Sequence, residues 1–434
     1  MSANVEIMKT KAEKAFADHF ASVAEALPGQ AMALDARRAA MARFSELGLP
    51  HRRIEAWKYT DLRNALGRVD APAIGDAPTL TGAEIDAALG PLHTIDAYRS
   101  VFVNGRFAPG HSSLPAIPGV EIAPISSDPD ADEVLPQEAI VALNTAFVTD
   151  GLAIKVGCGV AVDKPLMIVS VCAGGRDALV TTRHDIKLAA TASLTLIEAG
   201  VTVGAAGGQA NALVTISIGD GAEFDHVKIG SGGGIADLAT WRVHVGAASV
   251  YRAFQLIAGA PLARNQVFVT LDGEGGALDF ATGALGSGGD HIDSTIVVDH
   301  RAPGCTSREL YKAVLDDHAR GVCQGKVIVR QIAQKTDGKQ MAQALMLSED
   351  CEFDSKPELE IYADDVACGH GSTSAEIDPN MIFYCRSRGI PKDVAMVLLT
   401  ESFVAEAIEK VEDAALRDAL GEIARGWLAA NHAA

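Results

Sequence analysis

From about Asp96 to Asp378 apolar and polar residues alternate over short runs, among them "ALVTISIGDG", "WRVHVGAASV", "NQVFVTLDG" and "KVIVRQI". Alternation with period two predicts strands with one buried face, and the glycines between runs predict tight corners. Leu188, Ile218, Val245 and Leu271 each head a similar stretch, 26 to 30 residues apart. That period lies in the range of solenoids. Helical patterning is missing between the runs, so successive strands are expected to stack in parallel as coils of a β-helix filled with Val, Ile, Leu and Ala. A β-sandwich also gives short, evenly spaced strands; the period favours the solenoid.

On either side the pattern is helical. "QAMALDARRAAMARFSELGLP" carries Ala, Leu and Met beside charged residues and stops at Gly48 and Pro50, and Thr81 with Glu84 forms a capping box opening "TGAEIDAALG". Past Asp378, Pro391 is placed at a first helical position, and Val394, Val397, Leu398, Val404 and Ile408 recur on one face. A further helix is expected in "DAALRDALGEIARGWLAANH". The chain thus divides into an N-terminal helical domain (1–96), a β core (97–376) and a C-terminal helical domain (377–434). The apolar stripe of that last part is free to pack on the core or to receive a partner.

A length of 434 residues is enough for two or three domains and a large core. The net charge of −19 argues against nucleic acid and anionic membrane surfaces, both of which need clustered Lys and Arg. No apolar run has membrane-spanning length, and "MSANVEIMKTKAEKAFADHF" has the charges of a soluble helix. A cytoplasmic protein is expected. The seven cysteines are scattered, and no Cys-x-x-Cys occurs. A disulfide framework and a self-contained metal knuckle are therefore not expected. Metal chemistry would need ligands gathered by the fold or by a partner.

Four stretches are candidates for chemistry. "IGSGGGIA" (229–236) resembles a phosphate cradle only in its glycines, and "GVCQGKV" (321–327) has the wrong spacing for one, with Val327 where a magnesium-binding hydroxyl belongs. No nucleotide site is expected. "GGDHIDSTIVVDH" offers His291, Asp293, Asp299 and His300 to a divalent metal, against a reading as polar solenoid corners. No Gly-x-Ser-x-Gly elbow and no distinct catalytic carboxylate pair is present. In "ADDVACGHGST" strand alternation puts Val366, Cys368 and His370 on one face, the last two Cα atoms about 6.6 Å apart, with Gly369 and Gly371 on the other. A thiolate and a neutral imidazole so placed suit iron or zinc, and glycines permit close approach of another backbone. The alternative is a Cys368 that follows Val366 into the core and a His370 satisfied at a corner.

The stretch "GKVIVRQIAQKTDGKQMAQALMLSEDCEFDSKPELEIYADDVACGHGSTSAEID" followed by "MIFYCRSRGIPKDVAMVLLTESF", with "RIEAWKYTDL" upstream, resembles the SufD family of the SUF iron-sulfur cluster assembly machinery, from about Arg53 to about Val411. Gly371 takes the place that is acidic in the related SufB chains; Cys323, Ser355 and the "GSTSAEID" tail depart from the family's pattern in detail. The resemblance implies a mainly β fold, a right-handed parallel β-helix flanked by N- and C-terminal α-helical domains. It further implies a non-enzymatic scaffold subunit that pairs with a SufB-like chain and docks a SufC-like ATPase through its C-terminal helices. A homodimer is possible when the chain is alone. By the same likeness an iron-sulfur cluster, or iron, is held transiently at the partner interface, with His370 the metal ligand and Cys368 a second candidate beside it. Asp364 or Asp365 would orient the imidazole if the corner folds back. Two other readings stand beside it: a β-helix partner without any metal ligand, and a polysaccharide-active β-helix enzyme.

Overall fold

The computed structural model describes residues 9–66, 68–75, 78–126, 138–174, 178–204, 207–231 and 233–432. Its strands form two sheets, one of ten and one of nine. From Leu152 onward successive strands go alternately to the two sheets, each pairing in parallel with the strand one coil away. The result is a parallel β-solenoid of about seven turns. Leu188, Ile218, Val245 and Leu271 stand directly in register with one another. The period in the sequence is thus the length of one coil, although each of these residues closes a strand instead of heading one.

One corner explains why the period persists. Gly159, Thr191, Gly221, Ala248, Gly275, Gly304 and Lys335 all have positive φ. Their N–H groups turn toward the next coil: Thr191 N–H donates to Asp220 O at 2.8 Å, Gly221 to Ala247 at 2.8 Å, Ala248 to Glu274 at 2.9 Å and Gly304 to Gln334 at 2.9 Å. A left-handed residue suits Gly and strains others, yet three positions carry side chains, so the stacked corner hydrogen bonds outweigh that local cost.

The space between the sheets is filled by in-register apolar side chains such as Ile186, Ile216, Val243, Val269 and Val298, each at 1 % exposure or less. The outer faces are covered too. Helices Lys11–Val23 and Leu34–Leu47 pack with Leu179, Leu238 and Leu262 of the nine-stranded sheet. Gly82–Leu89, opened by the expected Thr81–Glu84 capping box, joins the C-terminal helices over the outer face of the other sheet, against Met167, Val169 and Ile197. One helix, Ala139–Phe147, interrupts the strand region; all nine of its residues are buried, so it has no polar face and leaves no amphipathic signal. "MSANVEIM" lies outside the described residues.

The glycine-rich stretches are structural. Gly233 and Gly234 make the turn between strands Glu223–Ser231 and Ile235–Val245; Gly232 lies outside the described residues. "GVCQGKV" is part of strand Arg320–Val329. At the C-terminal end, Asp378 caps Pro379–Ser387 by accepting from Asn380 N–H at 2.8 Å. Pro391 caps Lys392–Ile408 instead of opening it, and Ala414–His432 follows. The apolar stripe divides: Val404 and Ile408 are buried against the solenoid, whereas Val394 and Leu398 are exposed by 44 % and 47 %. No helix among the described residues is long and apolar enough to cross a membrane.

Candidate functional site

Cys368 and His370 lie on Ala367–Ala375, the last strand of the ten-stranded sheet; Glu352–Ile361 is the last of the other. Among the described residues both strands pair on one side only, Cys368 opposite Gly338 and His370 opposite Gln340. At this end of the solenoid two long strand edges thus have no neighbour among the described residues, and the backbone groups along such edges are free to pair with another chain.

The two residues share a face as strand alternation requires, but their surroundings differ. Cys368 is half-buried and packs with Val366 against the interior. Its thiol approaches Gly338, where an added Cβ would stand 3.6 Å from Sγ. Burial pushes the thiol up, while the Gly338 backbone hydrogen bond works against it. His370, two residues closer to the end of the strand, is exposed. Its inward column continues below through Gln340, Glu309 and Phe280. Asp365 does not orient the imidazole: its carboxylate pairs with Lys335 and its N–H donates to Gln334. Asp364 is exposed, and no hydrogen bond joins it to His370 among the described residues. Among the described residues no group of three or more His, Cys, Asp or Glu side chains is placed to hold a metal.

The second cluster, His291 to His300, is dispersed by the strand that carries it. Alternation sends His291, Asp293 and Asp299 outward and His300 inward, where its Nε2 lies 3.1 Å from Ser307 Oγ. Asp293, fully buried, pairs with Arg264 and accepts from the Thr60 hydroxyl. His291 Nε2 lies 2.9 Å from that same hydroxyl. Arg264 also donates to Ala56 O at 2.6 Å and covers the Trp57 ring at 4.2 Å. These residues are a clamp that fixes "RIEAWKYTDL" on the outer wall. Asp299 serves neighbouring coils: burial opposes its charge, but Arg330 and Arg301, at 2.8 and 2.9 Å, hold its carboxyl below the usual range. Arg264, central to the clamp, carries no local sequence signal.

Another feature near this end is the outer surface of Pro379–Ser387 and the start of Lys392–Ile408. Met381, Phe383, Tyr384, Val394 and Leu398 are exposed there by 44 to 74 %. Exposed large apolar side chains of this kind are candidates for an interaction surface.

Comparison of the sequence with known proteins points to one family. Residues 171–403 fit the family model described as SUF system FeS cluster assembly, SufBD core domain, and residues 10–123 fit the SufBD protein N-terminal region. The iron-sulfur cluster assembly protein SufD of Escherichia coli (strain K12) is 31% identical over 375 residues, covering 85% of this chain and 87% of that protein. An iron-sulfur cluster assembly SufBD family protein of Synechocystis sp. is 28% identical over 415 residues, 88% of each chain. SufD of Bacillus subtilis (strain 168) is 31% identical over 141 residues, 32% of each. The chain belongs to the SufBD family of iron-sulfur cluster assembly proteins, as a SufD homologue.

Proposed function

We propose that the chain is the SufD-like subunit of a cytoplasmic scaffold on which iron-sulfur clusters are assembled, with no catalytic turnover of its own. Its open C-terminal coil pairs edge to edge with a SufB-like chain, and His370 contributes one ligand to a site completed by that partner. The observation that carries this reading is the position of His370, exposed on a strand whose outer edge has no neighbour among the described residues. An imidazole so placed meets whatever chain extends the sheet, and backbone pairing would fix its approach. The cluster is cargo held while the chains are joined. Cys368, packed toward the interior, is the weaker candidate.

The exposed apolar group around Phe383 and Leu398 is the docking surface for a SufC-like ATPase in this reading. Val404 and Ile408, farther along the same helix, hold it to the solenoid. The three regions 1–96, 97–376 and 377–434 thus divide the work into wall, cluster edge and ATPase dock.

The test is co-expression with SufB-like and SufC-like partners. His370→Ala is expected to leave the complex intact while cluster output falls sharply. Normal cluster output from an intact His370→Ala complex would make the chain a positioning partner without a ligand.

A further inference from the structure

Beneath the last coil lies a partly open space lined by Thr282, Ser294, Glu309, Tyr311, Gln340 and Ser355, with the Cys323 thiol also facing it. Eight polar atoms of those six side chains are buried without a hydrogen-bond partner among the described residues: the four hydroxyl oxygens, both carboxyl oxygens of Glu309 and both amide atoms of Gln340. Orphaned buried polar atoms are rare in folded proteins. The residues belong to different coils and reach one place only through the parallel register, Glu309 under Gln340 and Ser294 under Cys323 and Ser355. Gly325 makes room for the amide, since a Cβ there would stand 3.0 Å from Gln340 Nε2.

The cavity measures about 30 Å3. A water molecule needs on the order of 10–15 Å3 by that measure, together with two to four polar partners. The space therefore suits about two waters. Among the described residues no Lys, Arg or His side chain lines it, which disfavours an anion. We propose that this space is an internal water site through which Glu309 exchanges a proton with the mouth of the solenoid, making Glu309 a proton store two rungs below His370, with Gln340 between them.

The charge around Glu309 fits that role. Burial pushes its carboxyl up to about 7; Ser307, Gln340 and the neighbouring Arg308 favour the charged form less strongly, and neither Ser307 nor Gln340 closes a hydrogen bond to it in good geometry. Tyr311 and Cys323 face it from its own strand and from the opposite wall, and burial keeps both protonated. Cys368, also pushed up by burial, lies toward the mouth. A thiol ligand loses its proton when it takes a metal: the S–H bond breaks, the proton passes along the waters, and the Glu309 carboxylate becomes a carboxylic acid. This last step rests on the metal uptake at this end of the solenoid proposed above; hydration of the cavity and titration of Glu309 do not.

The experiment uses the full chain alone, without metal. Infrared spectra in H2O and D2O are expected to show a protonated-carboxyl band that titrates near pH 7, shifts in D2O without unfolding, and is lost in Glu309→Gln. Cys323→Val, which narrows the cavity, should keep the band and slow its shift in D2O. A high-resolution crystal structure should place water between Glu309 and Gln340. A dry cavity, a band absent from the wild type, or exchange only on global unfolding would overturn the proposal. The band should persist in His370→Ala, so the result does not depend on whether His370 is a ligand.

Discussion

The guanidinium of Arg264 lies 4.2 Å from the centre of the Trp57 ring, and both side chains are buried, at 1 % and 7 % exposure. Asp293, at 0 %, neutralises the cation. Asp293→Ala leaves a buried charge without its counter-ion, which costs roughly 3–5 kcal/mol. Chemical denaturation should show that loss, with Trp57 fluorescence changing at lower denaturant than in the wild type. Thr60→Val removes only a hydroxyl from the clamp, and its cost is expected to be about 1–2 kcal/mol.

Ala248 is exposed and has φ +52° at a solenoid corner. Its methyl buries nothing, while the left-handed conformation costs an L residue about 1–2 kcal/mol, more than the 0.5–1 kcal/mol of extra chain entropy that glycine loses on folding. Ala248→Gly should therefore raise stability by about 0.5–1 kcal/mol. A lower denaturation midpoint for this variant would mean that the corner is not strained.

Much of the fold is legible in the sequence because parallel register repeats one environment at every coil, so Leu188, Ile218, Val245 and Leu271 are alike for one physical reason. The chemistry is less legible. Asp299 and His300 are adjacent in sequence and on opposite faces of one strand, so proximity along the chain says nothing about a shared site. Glu309, between Arg308 and Leu310 in "SRELYKAVL", reads as a surface acid; only the stacking of Gln340 above it and Cys323 across from it reveals a buried chamber. His370 is legible as a residue type at a strand position, but its exposure depends on that strand being the last of its sheet.

His370 and Cys368 should separate in stability as well as in function. His370 is exposed, so His370→Ala is expected to change unfolding free energy by less than about 0.5 kcal/mol. Cys368→Ala removes a half-buried sulfur from beside Gly338 and should cost about 1 kcal/mol. In cells carrying the partners, cluster-dependent enzyme activity should fall far more for His370→Ala than for Cys368→Ala. The reverse order would move the ligand role to the thiol.

Phe383 and Leu398 are exposed by 74 % and 47 %, so charge at either position costs the isolated fold little. Removing the C-terminal helices altogether would strip Val404, Leu416 and Leu420 from the outer sheet face, which makes point substitutions the cleaner test. Phe383→Glu with Leu398→Glu should abolish capture of a SufC-like ATPase while the melting temperature stays within a few degrees of wild type. Undiminished capture would place the dock elsewhere.

Acid should destabilise the protein through two buried imidazoles. Burial lowers His184 and His300 to about 4 from an ordinary 6.5. His184 Nδ1 accepts from Leu152 N–H at 3.2 Å, so its neutral form is built into the strand pairing. Between pH 6.5 and 4 the unfolded chain binds protons that the folded chain refuses, so stability is full above about 6.5 and falls as the pH drops toward 4. Each histidine contributes roughly 3 kcal/mol at most. Glu309 acts in the opposite direction: with its carboxyl raised from 4.5 to about 7, the folded chain holds a proton that the unfolded chain has released. Its contribution is present below about 4.5 and is lost as the pH rises through 7. Glu309→Gln removes that opposing slope, so the variant should lose stability more steeply than wild type between pH 6.5 and 4.5. His184→Gln should lose it less steeply. Denaturant midpoints measured across that range decide the matter, and identical slopes in all three proteins would show that neither group titrates from a buried position.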